Sequence, residues 1–270
     1  MRLAAHGAAV SSVWIRSHGA SIRLDGPPDE LDRLVGEMST SGASPVPPGP
    51  GTPDETVVLV EPGAERPGTV YCGPTAVASG DDIDELRRAM RSSLHLAVAT
   101  HARNGVFIHA GVVQLRGAAI VLPGRSMAGK STLVRALLDA GATYLSDEYA
   151  VLDDEGRVHP YPKPISCRRQ GGTRATIPVD RLAWVAEWDA AAVPVEIVAN
   201  LRYAVDARWP PCRVTGAAAA LPLIDNAVAA RLSPRRVLDA VGATVERSAV
   251  WVGDRPDVPA VVPWLLGMIG

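Results

Sequence analysis

The residues that decide the fold are Ala118-Ala119-Ile120-Val121-Leu122-Pro123-Gly124-Arg125-Ser126-Met127-Ala128-Gly129-Lys130-Ser131-Thr132. The first five are continuously apolar, as expected of a strand buried on both faces. Gly124 to Ser131 fits the pattern G-x-x-x-x-G-K-[ST], which must follow a strand and open a helix. It does both. Lys130 to Ala140 carries Leu133, Val134, Leu137 and Leu138 on one stripe, and Gly141 stops it. Glycines let the backbone curl so that successive N–H groups point at phosphate oxygens, and the helix N-terminus adds partial positive charge. The segment Gly124, Arg125, Ser126, Met127, Ala128, Gly129, Lys130, Ser131 and Thr132 is therefore expected to hold a nucleoside triphosphate. Lys130 would reach the β- and γ-phosphates, and the Ser131 hydroxyl would take a place on Mg²⁺.

Lys130 is informative for a second reason. Of the 27 basic side chains only Lys130 and Lys163 are Lys, and the rest are Arg. Where Arg can serve, this sequence uses it, so a retained Lys suggests a need for a compact ammonium. Lys163 lies between Pro162 and Pro164 on a stiff extended segment whose role is open at this point.

Working outward, Thr143 to Leu152 reads as one strand, interrupted by Asp147-Glu148 among apolar neighbours. Ligands of open α/β sheets bind outside the carboxyl ends of strands, which would bring this acidic pair to the phosphates. One carboxylate can hold Mg²⁺ and the other can accept a proton from an incoming hydroxyl. Before the loop, Val106 to Leu115 reads as a strand carrying His109. A lone His in an apolar strand is usually a packed core residue.

Here the sequence resembles the catalytic domain of bacterial HPr kinase/phosphorylase and its smaller relatives. In that family a strand with Ile-His-Gly precedes the phosphate loop, and a strand ending in Asp-Asp follows the loop helix. This chain has Ile108-His109-Ala110 and Ser146-Asp147-Glu148 at matching places, and the resemblance covers about residues 105 to 160. It implies an α/β fold: a P-loop, phosphoenolpyruvate-carboxykinase-like mixed sheet flanked by helices. It also implies Asp147 as the base, His109 as its support, Glu148 near Mg²⁺, and a homo-oligomer. Some short relatives phosphorylate a natural-product precursor peptide, so a peptide or small-protein acceptor is expected, with a small molecule as the alternative. Two departures stand out. Met127 occupies a position where the family usually has Gly. The family's second signature is replaced by a Pro- and Arg-rich segment, in which Arg168, Arg169 and Arg174 could clamp a phosphate or an acidic acceptor.

Residues 1–80 read as a small N-terminal α/β accessory domain with a Pro/Gly-rich linker at 39–54, and residues 81–270 as the catalytic domain. A helix from Ile83 to His101, capped by Asp81-Asp82, is expected to open the second. A hydrophobic content of 47% provides a sizeable core, and a formal net charge of -2 points to no nucleic-acid or anionic-membrane partner. Cys72, Cys167 and Cys212 are far apart with no metal-ligand spacing, which fits a reducing cytoplasm. No apolar run reaches the length of a membrane span. The expectation is an ATP- (or other NTP-) and Mg²⁺-dependent kinase acting on a hydroxyl. The rivals are a nucleotide-binding regulator and a simple NTPase.

Overall fold

In the first unit of the computed structural model, β1 (Ser11–Ser17) and β2 (Ala20–Gly26) form a hairpin. Its two-residue turn, His18-Gly19, has both φ angles positive, the geometry that tight hairpins require. Helix α1 (Pro28–Ser39), β3 (Ser44–Val46), β4 (Glu55–Val60), β5 (Gly68–Cys72), β6 (Thr75–Gly80) and α2 (Ile83–His101) follow. The structure describes residues 10–49, 51–64, 66–124, 129–168 and 174–269. The six strands make one mixed sheet in the order β3-β1-β2-β4-β5-β6, in which only β2 and β4 pair in parallel.

Helix α2 belongs to this first unit, which ends at Arg103, whereas the sequence placed the boundary at residue 80. The reason is packing. Asp82 caps α2 through its carboxylate, which accepts from the Asp84 and Glu85 amides. The buried positions Leu86, Met90, Leu94 and Val98 then lie on the first sheet. A Cβ on Gly68 of β5 would meet Leu86 Cδ1 at 2.4 Å, so helix and strand approach closely only because that residue is Gly. Ion pairs Arg87–Glu30 and Arg91–Glu37 tie α2 to α1, and Arg103 clasps Asp54 at 2.7 Å. A helical stripe shows which face is buried but not which sheet it covers.

The second unit begins at Asn104. It contains β7 (Val106–Leu115), β8 (Ala118–Pro123), α3 (Lys130–Asp139), β9 (Thr143–Ser146), β10 (Tyr149–Leu152), β11 (Arg157–His159), β12 (Ile165–Arg168) and β13 (Arg174–Ile177). Then come β14 (Val193–Tyr203), β15 (Cys212–Val214), α4 (Ala217–Ile224), α5 (Pro234–Arg247), β16 (Ala249–Arg255) and α6 (Val258–Leu266). The main sheet is again mixed, ordered β11-β10-β7-β8-β14-β16-β15, with β9 also on β7. Two cores line it. Ile108, Val112, Val121 and Val198 face Leu223, Val237 and Val241 of α4 and α5. Ile120, Leu122, Ile197 and Leu201 face Leu133, Leu137, Val261 and Leu265 of α3 and α6. This two-sided burial is why β8 reads as an unbroken apolar run. Each such side chain contributes roughly 1.5–3 kcal/mol when fully buried. A register shift between Val195 and Ile197 moves the alternation of β14, so that Val195 and Val198 share one face and Ile197 and Ala199 the other.

Among the described residues, no helix is long and apolar enough to cross a membrane.

Candidate functional site

The site is built at the carboxyl end of β8. Strand β7 pairs antiparallel with both β8 and β9, so β8 and β9 run in the same direction and end on the same side. At that end Gly111 pairs with Leu122, and Val112 with both Val121 and Ser146. The expected single strand from Thr143 to Leu152 is instead two short strands, broken at Asp147-Glu148. The Ser146 hydroxyl makes the break by accepting from the Glu148 amide (3.4 Å) and the Tyr149 amide (3.2 Å). The acidic pair thus projects from a kink and is not part of a continuous ladder.

Gly129 sits at the N-cap of α3 with φ 82, a conformation that favours Gly. The following two residues turn to opposite partners. Lys130 Nζ donates to the Gly124 carbonyl at 2.6 Å, spanning the loop from end to start. Ser131 Oγ donates to Asp147 Oδ2 at 2.8 Å, joining the loop helix to the acidic pair. Thr132, next in the helix, is exposed. Arg125, Ser126, Met127 and Ala128 lie outside the described residues.

Asp147 is only 9% exposed, and its Oδ1 is buried without a hydrogen-bond partner among the described residues. Burial pushes its carboxyl up to about 6, against the Ser131 hydrogen bond and the charges of Lys163 and Lys130, which pull it down. Both lysines of a chain that otherwise uses Arg therefore act on one carboxylate. Burial also pulls the Lys130 ammonium below its ordinary range, partly opposed by Asp147.

Lys163 reaches the site because the segment carrying it is anchored on both sides. Tyr161 is fully buried and packs edge-on against Phe107 and Tyr149, with ring centroids 5.2 and 6.0 Å apart. Its amide donates to the Leu145 carbonyl (3.0 Å), and the Tyr144 hydroxyl donates to the Lys163 carbonyl (2.7 Å). The Lys163 ammonium forms an ion pair with Glu148 and lies 5.9 Å from the centre of the Tyr149 ring. Nothing in the sequence pairs residue 163 with residue 148; the packing of Tyr161 and the Tyr144 hydrogen bond bring them together.

His109 is register partner to Tyr149, and the two rings lie 4.8 Å apart. Its amide donates to the Asn226 carbonyl, and its carbonyl accepts from Gly124, so the backbone of His109 fixes the start of the loop. Among the described residues its ring makes no hydrogen bond to Asp147. Burial, then Lys130 and Lys163, hold the imidazole below its usual range, which favours the neutral form. Arg168 and Arg174 are register partners in the β12–β13 ladder, and Arg169 lies outside the described residues.

One residue at this edge went unread in the sequence. Arg255 ends β16, and β16 runs parallel to β14, which runs parallel to β8. Its Nη2 donates to the Gly129 carbonyl at 3.1 Å. A charged residue closing an apolar strand was the available signal, but the strand order that brings it to the loop could not be read from the sequence.

Among the described residues no cluster of three or more His, Cys, Asp or Glu could hold a metal by itself. The Ser131 hydroxyl and the neighbouring carboxylates are hard oxygen donors. Mg²⁺ commonly takes one or two carboxylates and completes its shell with phosphate oxygens and water, so this sparse set fits it.

No family model matches this chain, and no curated protein matches its sequence. Among solved structures it is similar to the Hpr(Ser) kinase/phosphatase from Coxiella burnetii, at 15% identity over 60% of this chain and 93% of that one, with a TM-score of 0.36.

Proposed function

We propose that the second unit is an ATP- and Mg²⁺-dependent kinase that transfers the γ-phosphoryl group to a hydroxyl, on a peptide or small protein. The observation that carries this reading is the 2.8 Å hydrogen bond from Ser131 to Asp147, which couples the phosphate-binding helix to a buried carboxylate. A loop that merely turned a strand into a helix has no need of that coupling, nor of two lysines converging on it. In the reaction the acceptor oxygen bonds to the γ-phosphorus, the bond from that phosphorus to the ADP oxygen breaks, and the acceptor proton passes to a carboxylate. Such transition states are loose, so positioning and charge neutralisation outweigh base strength. Lys130 supplies charge at the phosphates, and Lys163 holds Glu148 in place. When bound, Mg²⁺ neutralises charge on the β- and γ-phosphate oxygens.

Two assignments of the acidic pair are compatible with this reaction. In the first, Ser131 and Glu148 would hold Mg²⁺ and Asp147 would take the proton, as the sequence resemblance implies. In the second, Asp147 would join Ser131 in holding the metal, which their direct contact favours. Ser131→Ala should raise the Mg²⁺ concentration needed for half-maximal transfer in either case, with activity partly restored at high Mg²⁺. Failure of Mg²⁺ to restore any activity removes Ser131 from the metal. Glu148→Gln should raise the Mg²⁺ requirement under the first assignment and leave it unchanged under the second.

The function itself is tested with γ-labelled ATP and candidate acceptors. A kinase yields labelled acceptor and ADP. Labelled free phosphate with every acceptor marks an NTPase, and ATP bound without turnover marks a regulator. Either result overturns the proposal.

A further inference from the structure

Arg255 is a buried cation that has no ion-pair partner among the described residues. It is 3% exposed, at the carboxyl end of β16. Its Nη2 donates to the Gly129 carbonyl and its Nη1 to the Pro256 carbonyl, at 3.1 and 3.0 Å, and its guanidinium lies 5.4 Å from the centre of the Tyr203 ring. Among the described residues no carboxylate forms an ion pair with it. The neighbouring acid, Asp254, is engaged by Arg202 at 2.9 Å. Asp257 and Tyr203 favour the charged form of Arg255 only weakly against burial, which pulls it below its ordinary range.

Two further features oppose a cation here. Gly129 is the N-cap of α3, and the N-terminal end of a helix carries partial positive charge. Lys130 adds a second cation one residue on. A buried guanidinium with no ion-pair partner among the described residues, set against a helix N-terminus, is destabilising in the free protein. Gly129 also leaves it room: a Cβ there would lie 2.4 Å from Nη2, where only a shift of the guanidinium could relieve the clash.

We infer that Arg255 is a phosphate-binding residue whose guanidinium receives the phosphate held by the first turn of α3, the one shared by nucleoside di- and triphosphates. This rests on the nucleotide-binding reading above and adds a residue to it. The anion supplies the missing counter-charge, and the planar fork of Arg suits phosphate oxygens. The Tyr203 ring lies beside the guanidinium, and the Gly129 carbonyl holds it at the helix start. The positive charge at the first turn of α3 then has three sources: the amides of that turn, Lys130, and an Arg from a strand more than a hundred residues away.

The test compares wild type with Arg255→Met and Arg255→Lys, by calorimetric titration of Mg²⁺-ATP and Mg²⁺-ADP and by thermal melting without nucleotide. Arg255→Met should bind ATP and ADP roughly 10- to 100-fold more weakly, as expected for loss of a charge-assisted contact. Its nucleotide-free melting temperature should equal or exceed that of wild type. Arg255→Lys should recover part of the affinity. Wild-type affinities in Arg255→Met overturn the inference, as does a lowered melting temperature with unchanged affinities, which marks a clamp on Gly129 alone. If stability and affinity both fall, the salt dependence of ADP binding decides: a shallower dependence in Arg255→Met supports a phosphate contact, and an unchanged one overturns it. If wild type binds neither nucleotide, the proposed function fails and this inference fails with it.

Discussion

Lys130→Ala is expected to abolish phosphoryl transfer and to weaken nucleotide binding. In the structure the Lys130 ammonium donates to the Gly124 carbonyl, tying the first residue of α3 to the end of β8. Its charge is disfavoured by burial and favoured by Asp147. The anion of a bound nucleotide would favour it further. Removing it strips the site of a positive charge whose attraction would grow as negative charge develops on the leaving phosphate oxygens, and such preorganised charges contribute much of a transfer rate. Transfer should fall by roughly 10³ or more, and ATP affinity by about tenfold or more. Lys130→Arg should not rescue it, because a planar fork cannot take the place of a compact ammonium on a thin stem. Titration calorimetry with Mg²⁺-ATP and single-turnover transfer measure the two effects. Unchanged affinity and unchanged turnover in Lys130→Ala would remove the loop from the chemistry altogether.

How much of this could be read from the sequence depends on the range over which each feature is determined. The strand, loop and helix from 118 to 140 are local: an apolar run, glycines and a 3.6-residue stripe specify them without reference to the rest of the chain. The hairpin at Gly19 and the Asp82 cap are local in the same sense. Asp147 was legible because a carboxylate in an apolar stretch has few structural uses, but the kink that presents it depends on the Ser146 side chain turning back on its own backbone. Helix α6 was not legible. Pro259 lies in its first turn and Pro263 inside it, so its sequence reads as a break, and packing of Val261 and Leu265 on α3 and the sheet overrides that preference. The break between α4 and α5, at residues 225–233, was not legible either. Lys163 and Arg255 lay beyond reach for a different reason. Each is placed by long-range pairing, Lys163 by an aromatic cluster and Arg255 by two successive parallel strands. Neither leaves a periodic trace.

Asp147→Asn is expected to separate function from stability in opposite directions. Its carboxyl is raised from an ordinary value of 3.8 to about 6, with burial the largest cause. Between those two values the folded protein holds the proton more tightly than the unfolded chain, so this group's contribution to stability falls as pH rises from about 4 to 6. At pH 7 the ionised carboxylate then costs about 3 kcal/mol, at roughly 1.36 kcal/mol per pH unit. Asn keeps an oxygen for the Ser131 hydroxyl and removes the charge. Nucleotide-free Asp147→Asn should therefore melt several degrees above wild type at pH 7, with the difference shrinking as pH falls through 6 and vanishing below about 4. Affinity for ATP should persist or strengthen, because a negative charge near the phosphates has gone. Transfer should nonetheless fall by roughly 10² to 10⁴, the range for a positioned acid–base group. If Asp147 takes the proton, wild-type single-turnover rates rise with pH through about 6, the variant's profile is flat there, and its Mg²⁺ requirement matches wild type. If Asp147 instead binds the metal, the Mg²⁺ requirement rises and excess Mg²⁺ restores part of the rate. Near wild-type transfer by Asp147→Asn would leave the kinase reading without its central carboxylate. A lowered melting temperature at pH 7 would show that the buried charge is compensated by a partner outside the contacts described above.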